Sequence, residues 1–220
     1  MSFTVLWDND GVLVDTESLY FQSNREILSK IGVTLTREFF IHQSLTRGES
    51  VFELAKGLSE AERIELGQER DWRYSELLQG ADTVMPGVRE VLDELKGVVR
   101  MGIVTGSRRD HFDIIHRDSG LLPYFEFVLT REDYRRGKPH PDAYESAMRY
   151  SRTTPIHCVV IEDSVRGAAS AIAAGLRCIV VPNELTWQAS FKGAYEVLDS
   201  IRLVTSTIRN LAGAWPRESG

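Results

Sequence analysis

An α/β fold built on a parallel sheet is predicted by three features of the 220-residue chain. Short apolar runs alternate with amphipathic helical stretches along most of its length. The runs are apolar at nearly every position, as strands buried on both faces are. Reactive side chains follow several runs directly, and sheets of this kind bind ligands at the carboxyl ends of their strands.

The elements follow in order. Residues 3–8 (FTVLWD) form a first strand, and a polar turn covers 9–15. An amphipathic helix is expected over 16–31, with Asp15 as its N-cap. Residues 34–80 have a different texture: helix formers (VFELAKGL, EAERIEL, RDWRYSELL) and no convincing strand. They read as a helical insert. Alternation resumes at Met85, with Pro86 suited to the first turn of a helix that runs to 96 and stops at Gly97. Further strands are expected at 98–105 (VVRMGIVT), 125–129 (FEFVL), 157–161 (HCVVI) and 177–181 (RCIVV). Helices are expected between them at 109–119, 141–150 and 165–174, and a last amphipathic segment at 186–211. A frayed tail is expected after Trp215.

Composition narrows the function. An apolar content of 42% is that of an ordinary globular chain. A net charge of −6 argues against a general nucleic-acid or membrane-surface binder. No apolar run approaches the ~18 residues of a membrane span, and the N-terminus lacks the basic start of a signal peptide. Cys158 and Cys178 lie in apolar runs and read as buried thiols, not as a zinc site. A cytoplasmic protein is expected, as a monomer or homodimer, with a small-molecule partner.

Four strand ends carry the chemistry. The first ends in Asp8-Asn9-Asp10-Gly11, the next in Thr105-Gly106-Ser107. Lys138-Pro139 follows the third after a loop, and the fourth ends in Glu162-Asp163-Ser164. Alternate residues of an extended chain face one side, so Asp8 and Asp10 can share a pocket while Asn9 points away. Paired carboxylates need a cation or a shared proton. Mg²⁺ beside Asp8 and Asp163 keeps Asp8 ionised and able to attack phosphorus, and hard oxygen ligands favour Mg²⁺ over zinc. Asp10 can protonate the leaving oxygen. Gly11 permits a sharp turn that brings amides near a phosphate. Thr105 can donate to a phosphoryl oxygen, and Lys138 can offset the charge at phosphorus. Each residue alone has an ordinary explanation as a turn, a cap or a solvated charge. The ordered set is far more specific.

The strings DNDGVLVDTE, VTGS, GKPHPDAY and IEDSVRGAASAIAAGL closely resemble the four signature motifs of the haloacid dehalogenase (HAD) superfamily. The subgroup is that of phosphoglycolate phosphatase and β-phosphoglucomutase. The resemblance covers nearly the whole chain. It implies a Rossmann-like three-layer core over 1–15 and 82–220, with a small helical cap over 16–81 inserted after the first strand. It implies a Mg²⁺-dependent hydrolase of small phosphorylated metabolites. Asp8 matches the nucleophile that becomes an aspartyl-phosphate. Asp10 matches the general acid/base, and its carbonyl a metal ligand. Thr105 matches the phosphate-binding hydroxyl, with Gly106 and Ser107 beside it, and Lys138 matches the third-motif lysine. Asp163 matches the second metal carboxylate, with Glu162 joining it or holding a metal-bound water. Arg47, in the cap segment SLTRGES, sits where the subgroup carries its specificity loop and can pair with a distal anionic group. Two positions depart from the usual pattern: Asn9 replaces an apolar residue and Trp7 replaces Phe. The assignment of Asp10 holds if Asn9 points away from the pocket.

Asp10 argues for an oxygen leaving group, because halide leaves unprotonated. A phosphatase is favoured, and a phosphosugar mutase like β-phosphoglucomutase is the alternative. A phospho-accepting signalling module fits poorly, since its aspartate follows a middle strand and it lacks a large cap. Arg108, Arg109, Arg131, Arg135 and Arg136 flank two of the strand ends and can lift the local potential for anions.

Overall fold

A computed structural model describes residues 3–213; the tail after Trp215 lies outside the described residues. Six strands form one all-parallel sheet in the order β3-β2-β1-β4-β5-β6. They are β1 (Thr4–Trp7), β2 (Arg100–Val104), β3 (Phe127–Leu129), β4 (Cys158–Glu162), β5 (Arg177–Val180) and β6 (Glu196–Val197). β1 lies between β2 and β4, with Thr4 in register with both Arg100 and Cys158.

The two-residue alternation of a strand makes two cores from one sheet. Val5, Trp7, Met101, Ile103, Val159 and Ile161 face one cluster, whereas Leu6, Val104, Cys158, Val160 and Cys178 face the other. Both faces are covered, which is why every β1 residue is buried. The first face is covered by α4 (Val88–Leu95), α5 (Arg109–His116) and α8 (Val204–Gly213). The second is covered by α6 (Asp142–Ser151) and α7 (Val165–Ala173). Both cysteines are buried and unpaired.

The segment between β1 and α4 is helical, as expected. It holds α1 (Glu17–Lys30), the short α2 (Arg37–Phe40), a π-helical turn at Ile41–Thr46, a 3₁₀ turn at Val51–Leu54 and α3 (Glu60–Leu78). It has its own apolar cluster, including Ile27, Leu28, Phe40, Leu45 and Phe52. Ser59 and Glu62 close α3 with a reciprocal capping box. At its far end Tyr74 and Leu78 join the core cluster, which ties insert to sheet.

Several local expectations change. Asp15 does not cap α1: Thr16 holds that position, and its hydroxyl is given to Asp10 at 2.6 Å instead of to the helix. Pro86 precedes α4, whose N-cap is Gly87 at φ +90°. The region expected as one amphipathic segment, 186–211, is divided into loop, the edge strand β6 and α8. β6 spans two residues, too few for a hydropathy pattern to register.

Candidate active site

The ends of β1, β2 and β4 and the loop before α6 meet below the helical insert, around a cavity of about 350 Å³. Asp8, Asp10, Gly106, Ser107, Lys138 and Asp163 all line it. Asp8 continues the ladder of β1, its amide bonded to the Ile161 carbonyl at 2.9 Å. The chain then folds over itself. The Asn9 carbonyl accepts from the amides of Val12, Leu13 and Val14, and this turn carries Asp10 back over the strand end.

Asn9 points away from the cavity. Its Oδ1 accepts from Nε2 of buried His116 at 2.7 Å, while the Ser119 hydroxyl lies 2.9 Å from His116 Nδ1. A neutral ring satisfies both neighbours. Burial pushes the His116 pKa down to about 4, against a weaker upward pull from Asp10.

Lys138 is the electrostatic centre. Its ammonium lies 2.9 Å from Asp8 Oδ1, 2.7 Å from Glu162 Oε1 and 3.0 Å from the Val104 carbonyl. All three donors are used. The ring of Tyr144 lies below it, the ammonium 4.9 Å from the centroid. Burial opposes this charge, but Asp8 and Glu162 outweigh it and raise the Lys138 pKa above its ordinary value. Burial, reinforced by Glu162 and only partly offset by Lys138, raises Asp8 to about 7. Glu162 itself stays below the usual carboxylate range: burial pushes it up, but the Lys138 charge and hydrogen bonds from Lys138 and Tyr144 prevail.

Glu162 is fully enclosed and is not part of the cavity wall. Its Oε2 takes the Asp163 amide and the Ser164 hydroxyl, both at 3.2 Å. A Cβ on Gly167 would lie 2.0 Å from Glu162 Oε1, so glycine lets α7 pack directly on this carboxylate. Thr105 lies beneath the cavity surface. Its hydroxyl donates to Asp10 Oδ2 at 3.0 Å and accepts the Ser107 amide at 2.9 Å. Ser107 donates to the same oxygen at 2.7 Å.

Oxygens of Asp8, Glu162 and Asp163 lie within 4.8 Å of one another. Asp163 Oδ1 is buried with no hydrogen-bond partner among the described residues. Burial and the nearby Glu17, Glu162 and Asp8 raise the Asp163 pKa well above normal. An orphaned oxygen in an all-carboxylate set fits a hard divalent cation. Gly11 supports the arrangement: it sits at φ +83°, and a Cβ there would lie 2.2 Å from Asp163 Oδ2.

Other residues meet at the site besides those matched to the motifs. Asn183 Nδ2 bridges Asp163 Oδ2 at 2.8 Å and Glu17 Oε2 at 3.1 Å. Asn183 lies just beyond β5, so the strand-end rule extended to one more strand would have found it. Tyr20, Arg70, Asp71 and Tyr74 enter from the insert, and Arg166 from α7. Arg47 does not line the cavity; it pairs with Glu49 at 2.9 Å and is half exposed. Of the flanking arginines, Arg108 reaches the wall, whereas Arg109 and Arg136 pair with Asp133 and Asp142.

The family and the fold are shared with known proteins. The haloacid dehalogenase-like hydrolase family matches residues 4–175. The protein CbbY of Rhodobacter capsulatus is 29% identical over 221 residues, covering 94% of this chain and 97% of its own. The phosphorylated carbohydrates phosphatase of Thermotoga maritima is 29% identical over 185 residues, covering 80% and 82%. Among solved structures, CbbY of Rhodobacter sphaeroides in complex with phosphate superposes with a TM-score of 0.78 at 25% identity, over 92% of this chain and 96% of that one.

Proposed function

Because the chain belongs to the haloacid dehalogenase-like hydrolases, we propose that it cleaves the phosphate ester of a small phosphorylated sugar through an aspartyl-phosphate on Asp8, with Mg²⁺ as cofactor. The observation that carries the reading is the Asp8–Lys138 pair at 2.9 Å in the cavity wall, with Asp10 beside it. The relative from Thermotoga maritima, named for phosphorylated carbohydrates, supports the substrate class.

Asp8 attacks phosphorus through a carboxylate oxygen. As the ester P–O bond breaks, Asp10 gives its proton to the leaving alkoxide. In the second half Asp10 takes a proton from water, which attacks phosphorus, releases inorganic phosphate and restores the Asp8 carboxylate. Lys138 holds Asp8 in line and offsets charge on the phosphoryl oxygens. Ser107 and the Gly106 backbone border the phosphoryl position, whereas Thr105, enclosed beneath the wall, joins Ser107 in orienting Asp10. Asp8, Asp163 and the Asp10 carbonyl would hold Mg²⁺. That cation supplies positive charge that lets an anionic nucleophile approach an anionic ester. Glu162, both of whose oxygens are occupied, acts by positioning Lys138 and the Asp163 backbone. We take 16–81 as the cap that covers the substrate, over a core of 1–15 and 82–220, and a cytoplasmic location.

The test is phosphate release from a panel of phosphorylated sugars with and without Mg²⁺, for the wild type and Asp8→Asn. Release that needs Mg²⁺ and disappears in the variant is expected. Near-wild-type turnover by Asp8→Asn removes the nucleophile assignment. Conversion of β-glucose 1-phosphate into its 6-phosphate without phosphate release would replace phosphatase by mutase.

A further inference from the structure

Four strongly cationic side chains line the cavity among the described residues, and three are committed. Lys138 is held by Asp8 and Glu162. Arg70 pairs with Asp71 at 2.7 Å and donates to the Tyr20 hydroxyl and Asn24. Arg108 spans Asp71 and Asp110. Arg166 makes no hydrogen bond or ion pair with any described residue, and its Nε is buried without a partner. A buried donor on a charged group is costly to leave unmade.

The position of Arg166 in the fold gives it no structural reason to be cationic. It is the second residue of α7, at the helix end where the dipole is positive and acidic side chains are the stabilising ones. Glu17 and Glu162 feel its charge, yet neither forms an ion pair with it. The side chain instead spans two parts of the site. Its Cδ and Nη1 lie 3.7 Å from where a Cβ on Gly48 of the insert would stand. Its Nη2 lies 3.8 Å from the same point on Gly106, in the turn after β2. The Lys138 carbonyl approaches Gly48 from the same side, 3.4 Å from that point.

We infer that Arg166 is a substrate-binding residue that takes an anionic oxygen of the substrate at the seam between insert and core. The inference rests on the phosphatase reading above. The guanidinium offers a planar fork matched to phosphate or carboxylate oxygens. The oxygen comes either from the transferred phosphoryl group or from a second anionic group elsewhere on the substrate.

The test compares wild type, Arg166→Gln and Arg166→Lys with Mg²⁺ on a sugar monophosphate and the matching bisphosphate, with inorganic phosphate as product inhibitor. Loss of one charge-assisted contact should raise KM by about 10- to 100-fold in Arg166→Gln, with a smaller change in kcat and partial recovery in Arg166→Lys. A rise on both substrates, with weaker phosphate inhibition, identifies the transferred phosphoryl as the source. A rise confined to the bisphosphate identifies the second anionic group. Unchanged KM and unchanged phosphate inhibition overturn the inference, as does a fall in kcat and Tm with KM fixed. If the wild type releases no phosphate, the phosphatase reading fails by itself. Calorimetric titration with inorganic phosphate and with the sugar bisphosphate then still decides the role of Arg166: weaker binding of either in Arg166→Gln supports it, and equal binding of both overturns it.

Discussion

The ammonium of Lys138 lies 2.7 Å from Glu162, a carboxylate with no exposed surface. Glu162 is therefore held as an anion by its partner, and the two are one unit for stability. Lys138→Met should cost about 3–5 kcal/mol in urea denaturation, because it leaves Asp8 and Glu162 enclosed without their counter-charge. Adding Glu162→Gln should recover part of that loss while activity stays absent. Additive losses in the double variant would show that the pair is not coupled.

Asp10 receives hydroxyls from Thr16, Thr105 and Ser107 and carries no ion pair among the described residues. Its proposed proton transfer predicts a dependence on the leaving group. Asp10→Asn should slow a sugar phosphate by ~10²–10⁴-fold, and an activated aryl phosphate much less. Equal losses on both would exclude Asp10 as the acid.

Gly11→Ala places a methyl group against Asp163 Oδ2 at a backbone angle that disfavours alanine. The Mg²⁺ concentration for half-activation should rise by about tenfold or more, in line with disturbing the support of a metal ligand. A calorimetric Mg²⁺ titration reads the same shift without turnover. An unaltered Mg²⁺ response would detach Asp163 from metal binding.

His116 gives a pH dependence with a definite sign. Its folded pKa of about 4 lies below the ordinary 6.5, so the folded state prefers the neutral ring. The resulting stability is fully present above pH 6.5 and is lost as pH falls toward 4. Between pH 7 and pH 5 this one residue should remove about 2 kcal/mol of unfolding free energy. Denaturation at both pH values should show that component in the wild type and not in His116→Gln. Equal pH slopes would refute it.

The sheet was legible because its strands are buried on both faces, and continuous apolar runs mark such strands in any sequence. Asp8, Thr105 and Asp163 were legible for a related reason: a parallel sheet aligns its carboxyl ends, so residues just past each run converge. Asn183 obeys the same rule after β5 and was passed over. Arg70 and Tyr74 obey no local rule. They sit inside helices, and only the packing of the insert over the sheet brings them to the cavity. Asp15 and Thr16 are both plausible caps by residue type. Which one serves is decided by Asp10, a tertiary partner that draws the Thr16 hydroxyl away.

The central place of β1 also bears on time. The strand is synthesised first, but its neighbours in the sheet are drawn from Arg100–Val104 and Cys158–Glu162. Asp8 meets Lys138 across 130 positions, and Asp10 meets Thr105 across 95. Closing such distant pairings is the slow part of folding. The helical insert closes over shorter spans, with Arg73 of α3 meeting Glu26 of α1 across 47 positions. The acidic strand end therefore depends on longer chain closures than the insert does. A truncation that stops short of β4 removes one of the two strands that flank β1, and with it Glu162 and Asp163.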